Sequence, residues 1–193
     1  MRVKIPAMKI WLRCMTLWMV LVLAVSCTAA PAQNIAVEDE LLTGGGTSPE
    51  TTVETFLNDL NKALKDPAIN RTDVRDQWAD TLAEYFFPLE RTAQRVAIRT
   101  SLDNVAAGIA QLSADQSVLF EISYEPARRV DEREDVVFIE VPNATIDMVI
   151  SQNSNRGNTT IWKQTESLGY LIGSDENVFP VARVGNRWYL TEN

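Results

Sequence analysis

Apolar residues after position 48 recur at the spacing of an amphipathic helix. Ser48, Pro49 and Glu50 are typical of a helix start, because they supply a side-chain cap, a proline at the first helical position and an acidic first turn. The apolar positions that follow are separated by three or four residues: Val53, Phe56, Leu57, Leu60 and Leu64. This pattern predicts a helix that ends at Asp66 and Pro67.

Two further helices follow by the same reasoning. The second is predicted to open at Thr72 and Asp73 and to stop before Pro88, and one side of it carries Val74, Trp78, Leu82, Tyr85 and Phe86. The third is predicted from about Glu90 to Leu112. Its apolar residues recur at intervals of four and three: Ile98, Leu102, Val105, Ile109 and Leu112.

After Ser113 the hydrophobic period changes to two, which predicts strands at 117–124, 135–141, 144–150, 159–166, 178–184 and 187–192. Pro142-Asn143 is expected to form a turn, and Gly185-Asn186 a two-residue hairpin loop. The charged segment 127–135 is predicted as a hairpin tip with a solvated charge network, and the polar segment 151–160 as a mobile loop. Helices followed by sequential strands indicate an α+β fold, with N-terminal helices packed on one face of a curved antiparallel sheet.

The first 27 residues have the pattern of an export signal. Four basic residues and no acidic one precede an apolar run at 15–25, and Ser26 and Cys27 follow. This segment resembles the lipobox of bacterial lipoproteins. That resemblance implies a diacylglycerol on the Cys27 thiol and cleavage between Ser26 and Cys27. Ala24 stands where the lipobox pattern favours leucine.

Two alternatives to a lipoprotein signal remain open. The uncharged stretch 14–33 is just long enough to span a bilayer as an uncleaved anchor, and simple secretion is the other possibility. All three place the domain outside the cytoplasm, because the basic residues stay inside. The predicted organisation is a signal peptide at 1–26, a lipidated cysteine and flexible tether at 27–48 with Gly44–Gly46 as its joint, and one globular domain at 49–193.

Composition narrows the classes of function. The formal net charge is −8, and removal of residues 1–26 leaves fourteen basic against 26 acidic residues, a net charge of −12. This acidity argues against a nucleic-acid partner. The chain has no histidine, and its two cysteines lie at positions 14 and 27. We therefore expect no disulfide in the domain, no metal site and no cofactor.

Two segments carry a resemblance to a known fold family. The helix opening SPETTVETFLNDL at 48–60 and the hairpin VARVGNRWYL at 181–190 resemble nuclear transport factor 2-like and cystatin-like (SnoaL-like) domains of bacterial lipoproteins. The resemblance implies a cone, in which a bent antiparallel sheet wraps around helices and leaves an apolar pocket at its open end. Domains of these families serve as enzymes, as ligand binders and as interaction modules, so the fold alone does not choose a function.

Five residues are candidates for a pocket. Asp147 alternates with apolar neighbours on a predicted strand, so it either projects into the cone as a base with a raised pKa or faces solvent. Trp78, Tyr85, Phe86 and Trp162 either line the pocket or pack in the core. We expect a non-catalytic, membrane-tethered module that binds a partner protein of the cell envelope. The alternatives are a binder of a small apolar ligand, and an isomerase or hydratase that uses a buried carboxylate.

Overall fold

The computed structural model describes residues 43–155, 157–169 and 177–192. Three helices come first: α1 (Pro49–Lys65), α2 (Thr72–Ala83) and α3 (Arg91–Ile109). Seven strands follow: β1 (Gln116–Ser123), β2 (Arg128–Arg133), β3 (Val136–Glu140), β4 (Thr145–Ser154), β5 (Gly157–Ser167), β6 (Val178–Val184) and β7 (Arg187–Leu190). The predicted α+β class, with helices before strands, is confirmed.

Local signals set the bounds of α1. The Ser48 hydroxyl accepts a hydrogen bond from the Thr51 N–H at 3.1 Å, and Pro49 occupies the first turn. The helix ends where Asp66 leaves the helical conformation and Pro67 follows. The first helix therefore has the bounds that its sequence predicts.

The strands form two antiparallel sheets rather than the single curved sheet that we predicted. One has the order β1-β4-β5 and the other β2-β3-β6-β7. Ser123 faces Thr145 in the first sheet, and Arg128 faces Glu140 in the second. The number of residues between the β1 and β2 pairs equals the number between the facing β3 and β4 pairs. The register is therefore the same in both sheets, although the pairing between them is interrupted.

Two prolines explain why strand pairing is interrupted between the two sheets. Pro126 lies between β1 and β2, and Pro142 lies between β3 and β4 on the facing arm. Proline has no N–H group and cannot donate to a strand ladder, so continuous pairing stops at this point. One cross-strand bond remains in the gap, from the Glu125 N–H to the Pro142 carbonyl at 3.0 Å.

Two segments that we predicted as loops are strands. Segment 127–135 contains β2, and the turn is confined to Glu134 and Asp135. Its side chains are exposed, so hydrophobic alternation could not reveal it. The predicted charge network is present, with Arg128 2.8 Å from Glu140 and Arg133 2.7 Å from Asp131. The polar segment 151–160 is likewise the end of β4 and the start of β5, where backbone pairing supports polar side chains.

The core lies where α1 packs on the four-stranded sheet. Its fully or almost fully buried members come from α1, α2 and the strands: Val53, Leu57, Leu82, Val137, Ile139, Val181 and Leu190. Tyr189 is also fully buried, whereas its neighbour Trp188 is half-buried beneath Arg183. The difference is that of two successive residues of β7, whose side chains project to opposite faces of the strand.

α3 packs mainly on α2, and ion pairs connect the two helices. Arg99 lies 2.6 Å from Asp76, and Arg75 lies 2.7 Å from Asp103. Arg95 and Asp80 form a third pair. Since most of these side chains are partly exposed, each ion pair by itself contributes little to stability. The pairs stabilise the contact between the helices mainly as a network.

The glycine triplet is part of the folded domain rather than a flexible joint. The Gly45 N–H donates to the Glu84 carbonyl at 2.9 Å, and Gly46 exchanges two backbone hydrogen bonds with Trp188 at 2.9 and 3.0 Å. Arg91 donates to the Thr43 carbonyl at 2.8 Å. We call residues 43–46 the glycine clamp. The predicted tether therefore ends before Thr43, and the rest of it (27–42) lies outside the described residues.

Candidate functional site

A mainly apolar cleft of about 420 Å³ opens between three elements. They are the C-terminal end of α1 with the loop after it, the C-terminal end of α3, and strand β1. The apolar lining comes from all three: Leu64, Pro67, Ile69, Ile109, Leu112, Val118, Leu119 and Phe120. The volume lies within the roughly 300–1,000 Å³ of typical ligand sites.

One wall of the cleft belongs to an apolar sheet face. Phe120 faces Met148 across the β1–β4 pair, and Val118 faces Ile150. Ile150 in turn faces Trp162 on β5. These side chains are all half-buried, whereas Ile122 farther along β1 is buried beneath α1. The apolar face therefore extends beyond the part that the core covers.

The cleft lies at the opposite end of the helices from the glycine clamp. The clamp contacts the first turn of α1 through Thr52 and the first residue of α3 through Arg91. The cleft is lined by Leu64 near the end of α1 and by Ile109 at the end of α3. Thr52 and Leu64 are 12 residues apart in α1. At about 1.5 Å of rise per residue, about 18 Å along α1 separates the two sites.

The charged side chains of the cleft give it a negative excess. Lys65 is neutralised by Glu121, with the ammonium nitrogen 2.6 Å from the carboxylate oxygen. Asp66 accepts hydrogen bonds from two neutral donors, the Trp78 indole N–H and the Ala68 N–H, both at 2.8 Å. Asp115, which directly precedes the lining residue Gln116, accepts from the neutral side chain of Gln152. Among the residues that the structure describes, neither carboxylate has a hydrogen-bonded cation.

Asp147 does not have the environment of a buried base. It lies on β4, where the Thr165 hydroxyl donates to its carboxylate at 2.5 Å and Lys163 lies 2.9 Å away. The hydrogen bond from Thr165, followed by that from Lys163, holds the pKa of Asp147 below its usual range. A catalytic base of the kind we considered needs a raised pKa. The geometry instead matches the solvent-facing alternative.

The four candidate aromatic residues do not converge on one pocket. Trp78, Tyr85 and Phe86 pack against the main core, and Phe86 meets the Phe56 ring edge-on at 5.5 Å. The Tyr85 hydroxyl donates to Asp59 at 2.6 Å. Trp162 lies apart from them, on the three-stranded sheet. The predicted sites at Ser26 and Cys27 lie outside the described residues.

Sequence reasoning missed the residues that form the cleft. Leu64, Ile109 and Leu112 belong to the predicted apolar helix faces, and Val118 and Phe120 lie in the predicted strand 117–124. Periodicity identifies an apolar face without showing what covers it. The available signal was that the apolar spacing of the third helix continued to Leu112, beyond the end of α3 at Ile109.

Within residues 43–155, 157–169 and 177–192, no group of three or more acidic, histidine or cysteine side chains is arranged to hold a metal ion. No helix among these residues is long and apolar enough to cross a membrane.

Comparisons with protein-family models, curated proteins and solved structures gave no match. The resemblance to nuclear transport factor 2-like and cystatin-like domains therefore stays a prediction.

Proposed function

We propose that this chain is a non-catalytic binding module, tethered through a lipid on Cys27 and exposed outside the cytoplasm, that holds a partner protein of the cell envelope in the apolar cleft. The fold we propose for it is the nuclear transport factor 2-like or cystatin-like cone. The observation that carries the proposal is a mainly apolar cleft of about 420 Å³, which lies about 18 Å along α1 from the glycine clamp.

The cleft has the composition of a binding site. It lies about 18 Å along α1 from the clamp, which holds the chain at the start of that helix. An apolar surface that is rimmed by polar residues is typical of protein-binding and ligand-binding sites. Here polar residues share the lining with the apolar ones: Lys65, Asp66, Asn70, Ser113, Gln116 and Ser117.

Site-specific photo-crosslinking in intact cells tests the proposal. A benzophenone amino acid at Leu112, inside the cleft, is expected to give one dominant protein adduct in the membrane fraction. Val96 is the matched control, because it lies near the opposite end of α3 and its side chain is 59% exposed. Equal adducts at both positions, or no protein adduct at Leu112, would refute the partner-binding role.

The cleft volume also favours a second candidate function, the binding of a small apolar ligand. About 420 Å³ is enough for a ligand of modest size. Native mass spectrometry of the chain released from membranes distinguishes the two functions. A retained small molecule that is lost in a Phe120→Asp variant would support the ligand, and a ligand-free chain that still crosslinks at Leu112 would support the partner.

A further inference from the structure

The backbone of β1 has an outer side that faces away from β4. The Ile122 N–H donates to the Asn61 side-chain oxygen on α1 at 3.0 Å, so this N–H points away from the β1–β4 ladder. Along an antiparallel strand, alternate residues direct both backbone groups to the same side. The N–H and carbonyl groups of Val118 and Phe120 therefore also point outward.

These outward groups border the cleft. The stretch Gln116–Phe120 lines it continuously, opposite Leu64 and Ile109. The Gln116 N–H is satisfied by the Ser113 carbonyl at 2.9 Å. In the part of the chain that the structure describes, the outward groups of Val118 and Phe120 have no such backbone partner. The cleft thus combines an apolar lining with an open strand edge.

The other sheet edges are less suited to pairing. Gly46 and the Tyr85–Phe87 segment cover β7 with backbone hydrogen bonds at 2.8–3.0 Å. β2 is charged, exposed and bulged near Val130. β5 has a bulge at Ile161 and projects Lys163. Bulges and charges are the usual protection of edge strands. β1 is the edge that lies beside an apolar cleft.

We propose that the cleft binds an extended polypeptide segment, which adds as a strand to the edge of β1 between Gln116 and Phe120. This inference rests on the proposed function and names its ligand class. Main-chain pairing with Val118 and Phe120 supplies register, and the cleft accepts apolar side chains at alternate positions of the segment. Basic residues flank them in the segment, because Asp66 and Asp115 have no hydrogen-bonded cation within the described part of the chain.

Charge disfavours the acidic stretch 38–40 of the tether as the occupant, because Asp66 and Asp115 would repel it. A fatty acyl chain would fill the apolar lining but would leave the outward backbone groups of β1 unpaired, which is costly once water is displaced. An extended peptide satisfies both parts of the site.

Backbone methylation of a probe peptide tests strand addition directly. The probe is a nine-residue peptide that alternates valine and threonine and has arginine at both ends. It is titrated into the full chain in phosphatidylcholine nanodiscs, whose neutral head groups do not attract arginine. Two matched probes carry N-methyl groups on the even or on the odd residues. One methylated probe is expected to bind at least tenfold more weakly and the other about as well as the parent, because only alternate N–H groups face β1.

Amide hydrogen exchange gives a second readout within the protein. On binding of the parent probe, exchange at Val118 and Phe120 is expected to slow at least tenfold. Leu119 and Glu121 serve as internal controls, because their N–H groups already face β4. A Val118→Pro variant removes one outward N–H without touching the ladder, so it is expected to bind the probe severalfold more weakly than Val118→Ala.

The outcomes separate the failure of this inference from failure of the proposed function. If both methylated probes bind like the parent and a Phe120→Asp variant abolishes binding, the cleft recognises side chains alone, and strand addition is overturned while the binding module stands. Protection of Val118 that grows with protein concentration in the absence of probe assigns the edge to a second copy and also overturns it. Absence of probe binding together with absence of a crosslink at Leu112 overturns both.

Discussion

Alanine substitutions in the glycine clamp test whether the tether joins the domain rigidly. At Gly45 the backbone φ is +60°, and an added Cβ would lie 2.6 Å from the Trp188 carbonyl oxygen and 2.7 Å from the Tyr189 ring. A left-handed conformation costs a non-glycine residue about 1–2 kcal/mol. Overpacking against a buried group costs about 1–3 kcal/mol more. We therefore expect Gly45→Ala to lower the free energy of unfolding by about 2–5 kcal/mol.

Two other glycines separate these contributions. Gly46 has no positive φ, but its Cβ would lie 2.4 Å from the Thr52 hydroxyl, so Gly46→Ala should show mainly the steric cost. Gly157 has a φ of +116°, and its Cβ would meet no atom within 4 Å, so Gly157→Ala should show mainly the backbone cost. The loss at Gly45 is expected to exceed each of the other two.

Urea unfolding followed by tryptophan fluorescence, with all variants in the same detergent, measures these losses. Comparable m-values are required, so that the midpoints report stability rather than a change in the unfolded ensemble. The reasoning would be refuted if Gly45→Ala and Gly46→Ala both unfold within about 0.5 kcal/mol of the unchanged chain. Residues 43–46 would then not belong to the folded domain, and the prediction of a flexible joint at Gly44–Gly46 would be correct.

Three further predictions concern other parts of the chain. Tyr85→Phe removes the hydrogen bond to Asp59 and is expected to cost about 1 kcal/mol in the same unfolding assay. The hydrogen bond from Arg99 lowers the pKa of Asp103 in the folded chain. The contribution of ionised Asp103 to the free energy of unfolding is therefore complete above the pKa of the unfolded chain, about 4, and is lost as the pH falls through the lower pKa of the folded chain. Asp103→Asn should therefore lose less stability than the unchanged chain between pH 7 and pH 3. Cys27→Ser should abolish labelling by an alkyne fatty acid.

Local sequence signals predicted the elements better than their connections. Ser48 and Pro49 determine the start of α1 through contacts within one turn, so the sequence alone was sufficient. Pro126 and Pro142 were equally visible, but they divide the sheet only because the register places them in the same gap of the ribbon. That information is non-local, and the predicted single sheet was wrong for this reason.

The glycine clamp was wrongly predicted as a flexible joint. Three consecutive glycines indicate flexibility by composition, and nothing near them in the sequence suggests otherwise. Gly46 is nevertheless fixed by Trp188, which lies more than a hundred residues away. Glycine permits both a flexible linker and a close backbone approach, and only the partner decides between them. A tether boundary read from composition alone therefore fell a few residues too late.

The length of α1 explains why a cleft exists at all. Two polar side chains of this helix close strand edges, as Glu54 accepts from the Ala127 N–H at 2.9 Å and Asn61 accepts from the Ile122 N–H at 3.0 Å. One turn after Asn61, Lys65 still reaches Glu121. The helix then stops at Asp66 and Pro67, where another turn would have continued along β1. The proline that ends α1 therefore leaves the edge of β1 uncovered, and the open site follows from a helix stop that can be read in the sequence.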